Sequence, residues 1–266
     1  MSRVLLHPGF HKTGTKSVQQ FLWANGPLIW PHTALILPAR ITELTRLAFA
    51  QTRAPSPHNL AALGDEMRQF IGGLSLARPG KTPRDVIISA ENLIGPMPRG
   101  DDAPYPQAAA ILTEVVAALR DTIAATEVMI HLSLRDQADW ARSIHAHHAR
   151  RLSGPRMTAS PADLAADLAR WPLAQRAATL TVPGATVMAT DIATLAAERF
   201  GIAQPFVDFL RLPPGAHDRL TQVPHLHRSD HALTGRMLEL NRSALGGDAL
   251  AQAKRALLPP AGKVPA

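Results

Sequence analysis

Apolar positions along this chain fall into short unbroken runs, separated by longer stretches in which apolar residues recur at helical spacing. Val4, Leu5 and Leu6 make one run within Arg3–His7, too short for a helix and ended by Pro8-Gly9. Residues 33–37 form a second run, stopped by Pro38, and Asp85–Ser89 a third, rich in β-branched side chains. Residues 126–134 read as a buried strand and residues 186–189 as the last one. Between them, residues 17–24, 41–51, 58–76, 106–120 and 191–200 have helical spacing, as does the segment after Arg135. Ser56-Pro57 supplies a cap and a first-turn proline, and Ser160-Pro161-Ala162-Asp163 repeats that signal with an acid at the capping-box position. Strands alternating with helices predict an α/β fold with a central parallel sheet, right-handed crossovers and helices on both faces. Ligands of such sheets bind beyond the carboxyl ends of the strands. The residues after Leu6, Ser89 and Leu134 are therefore the places to look for chemistry.

The chain has 266 residues, enough for one large α/β domain, and no Gly/Ser-rich linker divides it. Residues 1–257 are read as that domain and 258–266 as a disordered tail. The sequence has no cysteine, which excludes disulfides, thiolate catalysis and Cys-ligated zinc. No apolar run approaches the roughly 18 residues of a membrane span, and the apolar start is too short for a signal peptide, so a soluble cytoplasmic protein is expected. The formal net charge of +7 suits ligands that carry several phosphates or sulfates. The basic residues are dispersed and accompanied by a single tyrosine, so a nucleic-acid partner is not expected.

The first strand leads into Pro8-Gly9-Phe10-His11-Lys12-Thr13-Gly14-Thr15-Lys16-Ser17 and then a helix. A strand, a Gly-rich loop and a helix N-terminus in that order gather backbone N–H groups around one point, which favours a phosphate. Gly9 and Gly14 have Walker A spacing, but Thr15 follows Gly14 and the lysine comes one place late, at Lys16. One residue on a helix is a rotation of about 100°, so Lys16 does not replace the usual phosphate lysine. Lys12-Thr13-Gly14-Thr15 instead resembles the 5′-phosphosulfate loop of sulfotransferases that use 3′-phosphoadenylyl sulfate (PAPS), and residues 7–19 are similar to that loop in bacterial members. Lys16 stands where the family usually has a hydroxyl residue, which removes one side-chain contact and leaves the backbone cradle. The family also places an arginine at the end of a later strand and a serine eight residues on, both holding the donor's 3′-phosphate. Arg135 and Ser143 have that spacing, and two helical turns would put them on one face.

The resemblance implies a P-loop-type three-layer sandwich and a reaction. A sulfuryl group passes from PAPS to a hydroxyl or amine of an acceptor, such as a carbohydrate, a lipid glycan or a small molecule, and leaves 3′,5′-phosphoadenosine (PAP), with no metal. It implies His11, Lys12, Thr13, Gly14, Thr15, Lys16 and Ser17, with Arg135 and Ser143, as the donor site, and Lys12 beside the bridging oxygen. Glu91, at the end of the third strand, is the candidate base, with His11 and His131 behind it. Two alternatives stand beside this reading. A P-loop kinase or NTPase would use Ser17 and Glu91 for Mg²⁺ but lacks the Gly-Lys step. A non-catalytic member would bind the nucleotide or a polyanion.

His145/His148 and His227/His231 have spacings that could pair imidazoles on a helix, but no third ligand is evident, so no metal is expected. His145, His147, His148, Arg150 and Arg151 are read as a cationic rim near the acceptor. Trp30, Trp140 and Trp171 could stack on a sugar or pack the core. The Ala/Leu/Arg stretch after Leu152 is read as a cover over the site.

Overall fold

The five short apolar runs pair with one another as strands. In a computed structural model, which describes residues 2–77, 82–100, 102–123, 126–222 and 230–258, they are β1 (Arg3–His7), β2 (Thr33–Ile36), β3 (Asp85–Ser89), β4 (Glu127–Leu134) and β5 (Thr186–Asp191). All neighbours are parallel, in the order β2-β3-β1-β4-β5. The helices are α1 (Thr15–Ala24), α2 (Gly26–Ile29), α3 (Thr42–Arg53), α4 (Pro57–Gly72), α5 (Ala108–Thr122) and α6 (Gln137–Arg150), then α7 (Pro161–Ala169), α8 (Leu173–Ala178), α9 (Gln204–Phe209), α10 (His231–Arg242) and α11 (Gly247–Leu257).

Alternation along each strand makes three layers. Val4, Leu6, Ile88 and Ile130 face one way and pack with Leu44, Leu63, Leu112 and Trp140 from α3 to α6. Leu5, Leu35 and Ile87 face the other way, against Val18, Leu22, Ile29 and Phe206 from α1, α2 and α9. The expected α/β fold with a parallel sheet between helical layers is the fold observed. Ser56 caps α4, accepting from the Asn59 N–H at 3.1 Å. Ser160 and Asp163 close a full capping box at α7, the shorter acid serving where glutamate is usual.

Residues 191–200 depart from expectation. β5 continues through Asp191, paired with Leu134, and only a short 3₁₀ turn follows at Thr194–Ala197. The Asp191 carboxylate accepts the Ala193 N–H at 2.8 Å, which starts a tight turn where local composition favours a helix. The tail from 259 and His227 lie outside the described residues, as does residue 101. Among the described residues no helix is long and apolar enough to cross a membrane.

The chain leaves β1 toward β2 on one side of the sheet and leaves β4 toward β5 on the other. The gap between the carboxyl ends of β1 and β4 is therefore the topological switch point.

Candidate functional site

The loop after β1 lies at that switch point. Gly9 and Gly14 have φ of +47° and +94°, conformations open to glycine and strained for other residues. Space is short as well. A Cβ on Gly9 would meet Thr15 Oγ1 at 2.8 Å, and one on Gly14 would meet Ile202 Cδ1 at 2.8 Å. Lys12 itself has φ +68°, an uncommon conformation for a long side chain that the loop imposes on it. Thr13 is buried and donates its hydroxyl to the Phe10 carbonyl at 2.6 Å, which pins the turn. Its role here is therefore to shape the loop.

α1 begins at Thr15 with no side-chain cap and no acid in its first turn. Its first N–H groups lack intrahelical acceptors and carry the positive end of the helix dipole. The Thr15 hydroxyl, 3% exposed, has no hydrogen-bond partner among the described residues. Lys16 and Ser17 lie in the same first turn, and Ser17 also lines a cavity of about 330 Å³ with Phe21, Arg199, Phe200 and Ile202. Phe21 and Phe200, both in its lining, pack edge to face with ring centroids 5.7 Å apart. An uncapped helix start with a buried, unpaired hydroxyl beside it is chemically suited to an anion.

The surrounding charges agree. The Lys12 ammonium is pulled below its ordinary range, first by burial and then by Lys16, Arg135 and Arg150, while Glu91 opposes the shift. Arg135 lies at the end of β4, two residues before α6 begins, and donates to the Lys12 carbonyl at 3.3 Å. Ser143 is buried on α6. The two residues therefore do not share a helical face, because the Asp136 cap starts the helix after Arg135. Arg135 joins the loop; a contact between Arg135 and Ser143 is not among the hydrogen bonds of the described residues.

Below the loop the strand ends carry buried polar groups. The His7 ring bridges Ser89 Oγ at 2.9 Å and Ser133 Oγ at 3.2 Å, tying β1 to β3 and β4. His131 contacts Thr190 Oγ1 at 3.3 Å and packs on Phe206 with His7. Burial holds His7 well below the usual histidine range and lowers His131 to about 4, so both are neutral near pH 7.

His11 is held on every side. Its backbone N–H donates to the Tyr105 hydroxyl at 2.9 Å, and its carbonyl accepts the Trp140 indole N–H at 2.8 Å. Nε2 donates to Asn92 Oδ1 at 2.9 Å, so Nδ1 accepts from the Tyr105 hydroxyl at 3.0 Å. Burial lowers its pKa, and both nitrogens are engaged, which makes His11 an anchor of the loop. Trp140 is fully buried and belongs to that anchor, so it does not stack on a sugar. Trp30 is exposed and leans on Trp23.

Glu91 follows β3 in a short 3₁₀ turn and accepts from Gln19 Nε2 at 3.0 Å. It opens onto a cavity of about 610 Å³ that His11, Asn92, Met97, Tyr105 and His147 also line. Of the expected cationic rim, His147, His148 and Arg151 line this cavity, joined by Arg99 and Asp102 from the loop after β3. Burial is the first cause that lowers His147 and His148 to about 4, so neither imidazole carries charge near pH 7. His145 and Arg150 do not contribute to its lining. His145 meets the Ala159 carbonyl at 2.9 Å, and Arg150 donates to the Asp230 carbonyl at 2.9 Å. His148 donates to the Pro98 carbonyl at 2.8 Å, so it and His145 do not converge as metal ligands. Among the described residues no three metal-ligating side chains gather. From the stretch after Leu152, Pro155 reaches the cavity wall. Sequence reasoning missed Arg99 and Tyr105; the 94-residue separation of Tyr105 from His11 hides that contact from any local pattern.

Comparison of the sequence with protein-family models and with curated proteins finds no match.

Proposed function

We propose that this chain is a sulfotransferase that carries a sulfuryl group from PAPS to an acceptor hydroxyl. The observation that carries the reading is the uncapped start of α1 with the buried, unpaired Thr15 hydroxyl, in a loop where Lys16 and Arg135 are close enough to shift the Lys12 ammonium, and with Glu91 both near Lys12 and in the lining of the larger cavity. The resemblance of Lys12-Thr13-Gly14-Thr15 to the phosphosulfate loop gives the anion its identity. In this reading the α1 N–H groups, Thr15 and Lys16 hold the 5′-phosphate, and Arg135 with Ser143 takes the 3′-phosphate. The cavity beside Ser17, with its Phe21 and Phe200 edges, suits the nucleoside.

The transfer is an in-line displacement at sulfur. The acceptor oxygen forms the new S–O bond as the S–O bond to the 5′-phosphate breaks, and the bridging oxygen leaves with the electron pair as PAP. Glu91 takes the acceptor proton. Lys12 stabilises the charge that grows on the leaving oxygen, an interaction strongest in the transition state. A cytoplasmic location is part of this proposal.

Calorimetry in EDTA tests the donor. PAP is expected to bind without metal and more tightly than ATP–Mg²⁺ does in its own titration. Tight ATP–Mg²⁺ binding with none for PAP would turn the reading to a P-loop kinase or NTPase.

A further inference from the structure

Resting on that reading, we propose that the acceptor is an anionic alcohol: a compound with an apolar body, its hydroxyl beside Glu91 in the larger cavity and its negative group beside Arg151.

Three features of the cavity point there. Much of its lining is apolar and stiff, built of Phe49, Met97 and the rings of Pro96, Pro98 and Pro104. Such a surface takes an aliphatic or aromatic body and offers few hydrogen bonds to a polyhydroxylated chain.

The second feature is charge. Arg99 and Arg151 line the cavity with the imidazoles of His147 and His148. Two acids line it as well. Glu91 is engaged by Gln19 and faces Lys12, which leaves Asp102 as the acid on the rim side. Arg151 is exposed and makes no ion pair with any described residue.

The third is why Arg151 is available. It follows the last turn of α6, where free carbonyls would attract its guanidinium. Two carbonyls there are already occupied: the buried Lys254 ammonium donates to Ala149 at 2.9 Å and to Arg151 at 2.7 Å. α11 thus takes up part of the helix end, while the Arg151 side chain lines the cavity. His147, on the same turn, is held below its usual pKa by burial, Lys12 and Arg151. A bound anion would offset the part of that shift that comes from the cations.

The experiment compares two phenols of nearly the same shape, one charged and one not: 4′-hydroxybiphenyl-4-carboxylate and its neutral carboxamide. A shorter pair, 3-(4-hydroxyphenyl)propionate and its amide, covers a different span. Binding to the full chain is measured by calorimetry at pH 7 with saturating PAP, so that the loop's anion site is filled. In at least one pair the carboxylate is expected to bind about tenfold more tightly. Arg151→Gln should cut that preference below about threefold while PAP affinity stays within twofold, and the carboxylate should raise the His147 titration midpoint seen by NMR. Equal binding in both pairs, no binding in either, or a preference that survives Arg151→Gln would overturn the proposal. If PAP itself fails to bind, the donor reading is what falls. The same comparison without PAP then decides the cavity's preference by the same criteria.

Discussion

Arg135 at the end of β4 donates to the main-chain carbonyl of Lys12 at 3.3 Å, so one guanidinium spans the switch point between β4 and β1. This gives Arg135 two tasks, to steady the loop and to meet the ligand. Arg135→Ala is expected to weaken PAP by about 2–4 kcal/mol, as a charge-assisted phosphate contact is lost. Adenosine 5′-phosphosulfate lacks the 3′-phosphate and should lose only about 1 kcal/mol, from the loosened loop. Calorimetry with both ligands separates the tasks. Equal losses would leave Arg135 with the loop alone.

The second prediction concerns Gly14. Its φ of +94° and the 2.8 Å approach of Ile202 Cδ1 both oppose a side chain. Gly14→Ala should destabilise the fold by about 1–2 kcal/mol and weaken PAP, because a side chain strains the left-handed turn that opens α1 and displaces the tip of Ile202. Gly235 is the control: it lies within α10 with open space around it. Gly235→Ala should be neutral or stabilise by up to about 1 kcal/mol. Urea unfolding of the two variants reads the contrast directly; matching effects would show that the loop geometry is not specific.

Much of this fold was legible because buried parallel strands read as unbroken apolar runs. Arg3–His7 and Asp85–Ser89 coincide with the observed strands. Residues 191–200 misled for the opposite reason: their composition favours a helix, while pairing with β4 and the Asp191 turn favours strand and 3₁₀. The Lys12 loop was legible through its glycines and lysines, which act locally. Tyr105 was not. It holds His11 through a positive-φ backbone of its own, at 54°, in a loop from another part of the chain. The Arg135–Ser143 spacing was legible, but its geometry was not, since the helix start depends on the Asp136 cap.

The third prediction is the acid response. His7, His131 and His148 all have pKa values lowered by burial, the last two to about 4. The unfolded chain takes up protons at His131 and His148 below about pH 6.5, while the folded chain does not until about pH 4. The unfolded state therefore binds more protons across that window, and stability falls as the pH falls through it. His131→Leu should flatten the slope of unfolding free energy near pH 5 by about 1.4 kcal/mol per pH unit, one proton's worth. Urea midpoints from pH 4.5 to 7.5 measure it; an unchanged slope would mean that His131 protonates equally in both states.

The last prediction separates the chemistry from the binding. Glu91 faces the larger cavity and Lys12 sits in the loop, so their losses should differ in kind. Glu91→Gln keeps a partner for Gln19 and should leave PAP affinity nearly intact, while turnover falls by roughly 10²–10⁴. Lys12→Ala should lower turnover more than donor affinity, because its charge matters most as the leaving phosphate gains charge. An acceptor must first be found, by screening anionic alcohols, carbohydrates, lipid glycans and small alcohols with labelled donor. Full turnover in Glu91→Gln would remove Glu91 from the mechanism. The replacement would not be His11, whose two ring nitrogens are engaged, nor His131, which is buried among the strand ends beneath the loop. His147 would then be the group to change, since it lines the same cavity and lies close enough to Lys12 and His11 for their charges to lower its pKa.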